Sequence, residues 1–461
     1  MPFGIAYDVI CTLSRWCIYG FYREIITIGY ENVPKEGPVI ACSTHHNMIV
    51  DPAVLANTFP HKRRLHFWAK NSLFGNKYFN LVLASGGVVP VDRTTKNNKA
   101  LFSATFEVLK LGEVVALFPE GTSHSQSRLL ELKDGASWAA LEYAALVSDL
   151  ESKSGDIKKQ SDIPEMAAII PVGLIYVQKS KYRSSVIATY GSPIHVESYL
   201  EDFKKDGRST VKRLTKHIEA EMEKLTINAH DWETSNAATM ARRLLFSVDK
   251  RVPLEDYVKI TQSLINFFTN STSEEIISLK NNLNQYKTSL DELRLFDTDI
   301  ARYENRLCFH WPIYVLGTLS AKYEKYEESR AQNKIALGLV WLMIAYTVLF
   351  FVIWTTMFFT PLGFLLAASA VFIFAWYHIA LVDSHYDAFK ELVSSFRLLA
   401  ALCGGKGSLP RDQVENLVEK RYLCLRSLKK IGEEYRSKSD DMRVVLELCE
   451  RERTYEGKKL R

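Results

Sequence analysis

The chain has no C-x-x-C pair; its seven cysteines stand singly at 11, 17, 42, 308, 403, 424 and 449. That scatter excludes a disulfide framework and a cysteine zinc site, and reads as reduced cytosolic thiols. There is no internal repeat and no low-complexity tract. Charge bias is also small: 58 Lys and Arg against 53 Asp and Glu give a net +5. So mild a balance suits an anionic membrane surface or anionic substrates and does not call for nucleic acid. The N-terminus lacks the basic start and small-residue cleavage site of a signal peptide.

Apolar residues, by contrast, are plentiful. They make up 47% of 461 residues, with 12% aromatic, enough for two or three domains or for membrane segments. Phe3 to Tyr30 is aromatic and apolar but is interrupted by Asp8, Arg15, Arg23 and Glu24. The interruptions spoil a spanning helix and favour one lying in the bilayer interface over 1–31, anchored by Phe3, Val9, Trp16, Tyr19 and Phe21. Ile335–Phe359 and Leu362–Val382 are different: both are uncharged and long enough to cross a hydrocarbon core of about 30 Å. With only Thr360-Pro361 between them they predict a transmembrane hairpin over 331–383. Lys322, Lys325, Arg330 and Lys334 put both flanks in the cytosol.

From Glu24 to Leu200 short β-like runs alternate with helical patterns. The runs centre on 25–28, 38–42, 65–68, 87–91, 114–118, 167–172 and 186–190. This predicts an α/β domain over 32–230, with a largely buried sheet flanked by helices. Residues 151–165 are polar and read as a surface insertion. Residues 231–330 have helical periodicity and heavy charge, a helical appendage, and 384–461 is a charged helical region.

The stretch Ser43-Thr44-His45-His46-Asn47-Met48-Ile49-Val50-Asp51-Pro52 follows one of these runs and enters a helix. Asp51 is a good N-cap, and Pro52 suits the first turn. A loop of this kind can fold His46 back onto Asp51, the pairing a histidine base needs. The spacing alone is weak: chance supplies roughly half a His-x4-Asp match in a chain like this. A second match, His378 to Asp383, lies in an apolar helical run, where five residues rotate a side chain by about 140°, so those two point apart. Two further strand ends carry polar turns, Pro90-Val91-Asp92-Arg93 and Phe118-Pro119-Glu120-Gly121-Thr122-Ser123-His124-Ser125. Gly121 permits a tight turn, and the hydroxyls with Arg128 and Lys133 suit an oxyanion.

His46-x4-Asp51, Gly86 to Arg93, Phe118 to Thr122 and Ile170-Pro171-Val172-Gly173, in that order, resemble the glycerolipid acyltransferase family over about residues 20–230. The run Glu120 to Gly135 and the hairpin are most like the fungal and protist glycerol-3-phosphate/dihydroxyacetone phosphate acyltransferases. That resemblance implies acyl transfer from acyl-CoA to glycerol-3-phosphate or dihydroxyacetone phosphate, the first step of glycerophospholipid synthesis. It makes His46 the base and Asp51 its orienting carboxylate. Arg93, Glu120, Gly121, Thr122, Arg128 and Lys133 then surround the acceptor phosphate, and Pro171 belongs to the acyl-CoA block. Neither a metal nor a cofactor is expected beyond acyl-CoA as co-substrate. The location implied is a multi-pass protein of the endoplasmic reticulum membrane or lipid-droplet surface, its catalytic domain cytosolic. One departure stands out: many relatives carry Arg directly after Gly-Thr, where this chain has Ser123. A lysophospholipid acyltransferase would share every catalytic residue, and a non-catalytic membrane scaffold would keep the domain without the chemistry.

Overall fold

The computed structural model describes residues 3–70, 74–75, 77–91, 98–154, 164–246, 253–293, 295–303, 327–377 and 411–459. Arg93, Lys322, Lys325, His378 with Asp383, and the end of the second apolar run lie outside them. The chain divides into two compact units, Met1–Thr226 with Tyr323–Leu339, and Ile227–Lys322 with Val340–Arg461.

The first unit is built on a seven-stranded sheet: β1 (Glu24–Ile28), β2 (Val39–Ser43), β3 (Leu65–Lys70), β4 (Val89–Val91), β5 (Val114–Leu117), β6 (Ala168–Tyr176) and β7 (Ser185–Tyr190). Its order is β1-β7-β6-β2-β5-β3-β4. Every neighbouring pair is parallel except β6 and β7. All seven runs expected from the sequence are strands of this sheet. Parallel strands covered on both faces need side chains apolar on both sides, which is why β2 and β5 are buried along their whole length.

Successive residues of β2 serve opposite faces. Val39 and Ala41 join a cluster with Ile18 and Phe21 of helix α1 (Ile5–Phe21) and Val54 and Leu55 of α2 (Val50–Thr58). Ile40 and Cys42 face the other cluster. There they meet residues of α4 (Asn98–Lys110), α5 (Gly135–Ser154) and α7 (Gly207–Lys224). A short α3 (Lys77–Ser85) precedes β4, and α6 (Leu200–Lys205) precedes α7. None of the five cysteines among the described residues forms a disulfide.

Helix α1 is two-sided. Tyr7, Ile18 and Phe21 are buried, whereas Ile5, Val9, Leu13 and Trp16 are exposed at spacings that make one stripe. One of the expected anchors, Phe21, therefore belongs to the core, and the half-buried Phe3 stacks on His66 at 4.1 Å. The helix ends where Arg183 Nη1 donates to the carbonyls of Tyr19 (3.2 Å), Gly20 (3.3 Å) and Tyr22 (3.4 Å). A cation among the last carbonyls of a helix satisfies them and suits the dipole.

In the second unit, α8 (Trp232–Leu245), α9 (Leu254–Asn270), α10 (Glu274–Glu292) and α11 (Asp297–Tyr303) pack with α14 (Arg411–Tyr435) and α15 (Asp440–Lys459). They share one core, in which Ala241, Leu264 and Leu283 meet Leu428 and Val445. Sequence drew the appendage and the C-terminal region as separate segments; their apolar stripes are complementary halves of a single bundle. Arg242, buried, is satisfied by Thr261 and by Tyr257 at 2.8 Å.

Helix α12 (Glu327–Thr356) begins in the first unit and continues in the second. Its segment Gln332–Thr356 is the described helix long and apolar enough to cross a membrane. A second apolar helix, α13 (Pro361–Tyr377), covers 17 described residues and folds back on it. Ring contacts join Phe350 to Phe364 (5.3 Å) and Tyr346 to Phe374 (6.2 Å). The described part of α13 is shorter than the full span expected. Along the pair Trp341, Met343, Leu365 and Phe372 are each more than half exposed. A core hairpin of a soluble domain would have buried them.

Candidate active site

The loop after β2 is stitched to β6: Thr44 N donates to Val172 O (3.2 Å), and Thr44 Oγ1 accepts from Leu174 N (2.9 Å). The chain then reverses through Met48, which takes a positive φ of 41°, and enters α2. The reversal aims two backbone N–H groups, His46 and Asn47, at one oxygen of Asp51, each at 2.7 Å. Asp51 is fully buried. Its carboxylate turns back to the loop and makes no N-cap bond, because α2 has already begun at Val50.

The ring that meets Asp51 is His45: Nδ1 lies 2.9 Å from Oδ2. This corrects the pairing read from spacing, which chose His46. The backbone N–H of His46 occupies the carboxylate, and the side chain entering from the preceding residue completes the contact. The ring of His45 also stacks on Phe118 (4.2 Å, 19°) and is 19% exposed, with Nδ1 held by Asp51. The His46 ring instead sits edge-on to His124 at 5.0 Å. Burial pulls its pKa below the ordinary imidazole value, despite the fields of Asp51 and Glu120.

The other oxygen of Asp51 accepts from the hydroxyl of Tyr176 at 2.5 Å. Burial, reinforced by the Asp51 charge, pushes this phenol well above its usual pKa, so it stays a donor. Tyr22 supports the same corner: its hydroxyl accepts from Asn47 Nδ2 (3.1 Å) and donates to Lys179 O (3.2 Å).

Glu120 joins the two loops. One oxygen accepts from His45 N (2.8 Å); the other meets the ring Nε2 of His124 and Leu130 N (3.1 Å). Gln126 N donates to His124 Nδ1 at 3.0 Å, which leaves the ring proton on Nε2 facing the carboxylate. His124 N in turn donates to His45 O (3.1 Å). Burial would raise the Glu120 pKa, but the His124 ring, the field of His46 and the His45 N–H outweigh it and hold it low. A carboxylate only 2% exposed with both oxygens occupied ties the loops together, and so shapes the turn beside it.

Beyond it the chain turns tightly, Gly121 N donating to Phe118 O at 3.0 Å with Gly121 at φ 78°. A Cβ there would lie 3.5 Å from Lys133 Cγ, so the lysine stem runs beside the turn. Thr122, Arg128 and Lys133 are exposed. Pro171 sits elsewhere: it is buried inside β6, opposite Cys42, with its carbonyl accepting from Gly191 N at 2.9 Å. It packs the sheet and offers no surface to acyl-CoA.

Residues 24–173 match the family model named Acyltransferase. A glycerol-3-phosphate O-acyltransferase 2 of Saccharomyces cerevisiae is 32% identical over 206 residues, 44% of this chain and 26% of the relative. A 1-acyl-sn-glycerol-3-phosphate acyltransferase of Bacillus subtilis is 36% identical over 108 residues, 23% of this chain and 51% of the relative. The matched part of this chain thus spans between about a quarter and a half of these two relatives' length. The crystal structure of a 1-acyl-sn-glycerophosphate acyltransferase from Thermotoga maritima superposes with a TM-score of 0.31 and 18% identity, over 46% of this chain and 80% of that one. The matched residues comprise β1 to β5 and the first part of β6 of the seven-stranded sheet. Over that stretch the chain is similar to acyltransferases of glycerolipid synthesis.

Proposed function

We propose that the protein transfers a fatty acyl group from acyl-CoA to the hydroxyl of glycerol-3-phosphate or dihydroxyacetone phosphate. The observation that carries this reading is the His45–Asp51 pair, tied through Glu120 to the Gly121 turn. An alcohol is too weak a nucleophile near neutral pH without a base. With Nδ1 committed to Asp51, His45 Nε2 takes the hydroxyl proton while the oxygen attacks the thioester carbonyl. Collapse of the tetrahedral intermediate breaks the C–S bond, and the imidazolium returns its proton to the CoA thiolate. Asp51 holds the tautomer and stabilises the cation.

The acceptor is the open choice of the two relatives' names, and competition decides it. Purified protein in detergent, given labelled acyl-CoA, should acylate glycerol-3-phosphate or dihydroxyacetone phosphate with a higher kcat/KM than lysophosphatidic acid. The reverse preference would assign the second acylation instead, and no acylation of any acceptor would leave only a scaffold.

Two features support a membrane location, proposed here as the cytosolic face of the endoplasmic reticulum. One is the exposed stripe of α1; the other is the exposed apolar pair α12 and α13. A hairpin keeps both termini on one side. Tags at the two ends should therefore be cleaved by protease outside sealed microsomes, and protection of either tag counts against it.

A further inference from the structure

A phosphate monoester carries close to two negative charges, and hydroxyls with a glycine turn do not balance them. Where the family pattern places Arg after Gly-Thr, Ser123 offers only a neutral hydroxyl. A cation reaches the same turn from a distant part of the chain. Lys179 lies in the connection between β6 and β7, and its Nζ is 3.1 Å from Ser125 Oγ and 3.5 Å from His124 O. Its charge is near enough to His46 to help hold that ring's pKa down, after burial.

The connection that carries it is pinned at several points. Tyr22 donates to Lys179 O (3.2 Å), Lys334 Nζ to Ser180 O (2.7 Å), and Gln178 N to Ser184 Oγ (2.9 Å). Arg183 N donates to Phe21 O at 2.7 Å. A lysine on so restrained a backbone loses less freedom when it binds than one on a mobile loop. The turn thus has a lysine at each end, the stem of Lys133 beside Gly121 and the ammonium of Lys179 at Ser125. We infer that Lys179 is an acceptor-binding residue that grips the phosphate of the small acceptor, in the role left open by Ser123. The inference rests on the acceptor reading above for the identity of its ligand.

Lys179→Met in the full chain should raise the KM for glycerol-3-phosphate about 10- to 100-fold, with the acyl-CoA KM little changed. Lys179→Arg keeps the charge and should recover most of the loss. Glycerol-3-phosphate binding without acyl donor, followed by calorimetry, should weaken by a similar factor. In the wild-type protein, glycerol-3-phosphate should slow modification of Lys179 by an amine-reactive reagent, read by mass spectrometry. That measurement stands even if Lys179→Met does not fold.

An unchanged acceptor KM in Lys179→Met, a rise confined to acyl-CoA, or no protection of the lysine overturns the inference. If the wild type acylates glycerol-3-phosphate while Lys179→Met behaves like it, the inference fails and the function stands. If the wild type acylates no acceptor, yet binds inorganic phosphate with Lys179-dependent affinity, the function fails and the site stands.

Discussion

His45→Ala should lower turnover by about 10²- to 10⁴-fold, the range over which a positioned acid–base group acts. Folding should be retained, because the ring is partly exposed and its backbone N–H still reaches Glu120 at 2.8 Å. His46→Ala costs much less. Its tie to Asp51 is the backbone N–H, which Ala keeps, and its ring touches His124 without a bond to the carboxylate. Single-turnover rates with saturating acyl-CoA separate the two. Equal losses at the two positions, or the greater loss at His46, would return the base to His46.

Asp51→Asn has an effect of similar size with a different accompaniment. Four donors converge on this buried carboxylate: the His45 ring, the His46 and Asn47 N–H groups and the Tyr176 hydroxyl. An amide presents one acceptor and one donor to them, so at least one buried donor is left without a partner. Turnover should fall by about 10²- to 10⁴-fold as the His45 tautomer is lost. Stability should fall by about 1–3 kcal/mol, the cost of an unsatisfied buried group. Thermal unfolding of the purified protein reads the second effect, which His45→Ala should largely lack. An Asp51→Asn protein with near-normal activity would remove Asp51 from the mechanism.

The two histidines show where local reading stops. His-x4-Asp counts positions along the chain, and His46 satisfies the count. Which ring reaches Asp51 depends on the reversal at Met48, a conformation that no residue of the motif announces. Tyr176 had no local signal, since 125 residues separate it from Asp51 and only the pairing of β6 beside β2 brings them together. His124 was visible four residues after Glu120, but its bond to that carboxylate needs the turn at Gly121. Pro171 was legible as part of a block; its burial opposite Cys42 is a matter of register.

By itself the amino-acid sequence determined the alternation of strands and helices, the uncharged runs around α12 and α13, and the polar strand ends where chemistry gathers. Those follow from hydrophobic period and turn chemistry, which act over a few residues. Tertiary structure alone decided that His45 faces Asp51, that Glu120 is a buried tie between loops, and that Lys179 arrives at Ser125. The first depends on the reversal at Met48; the other two join groups far apart in the chain whose distance is set by sheet order, and sheet order is a property of the packed whole.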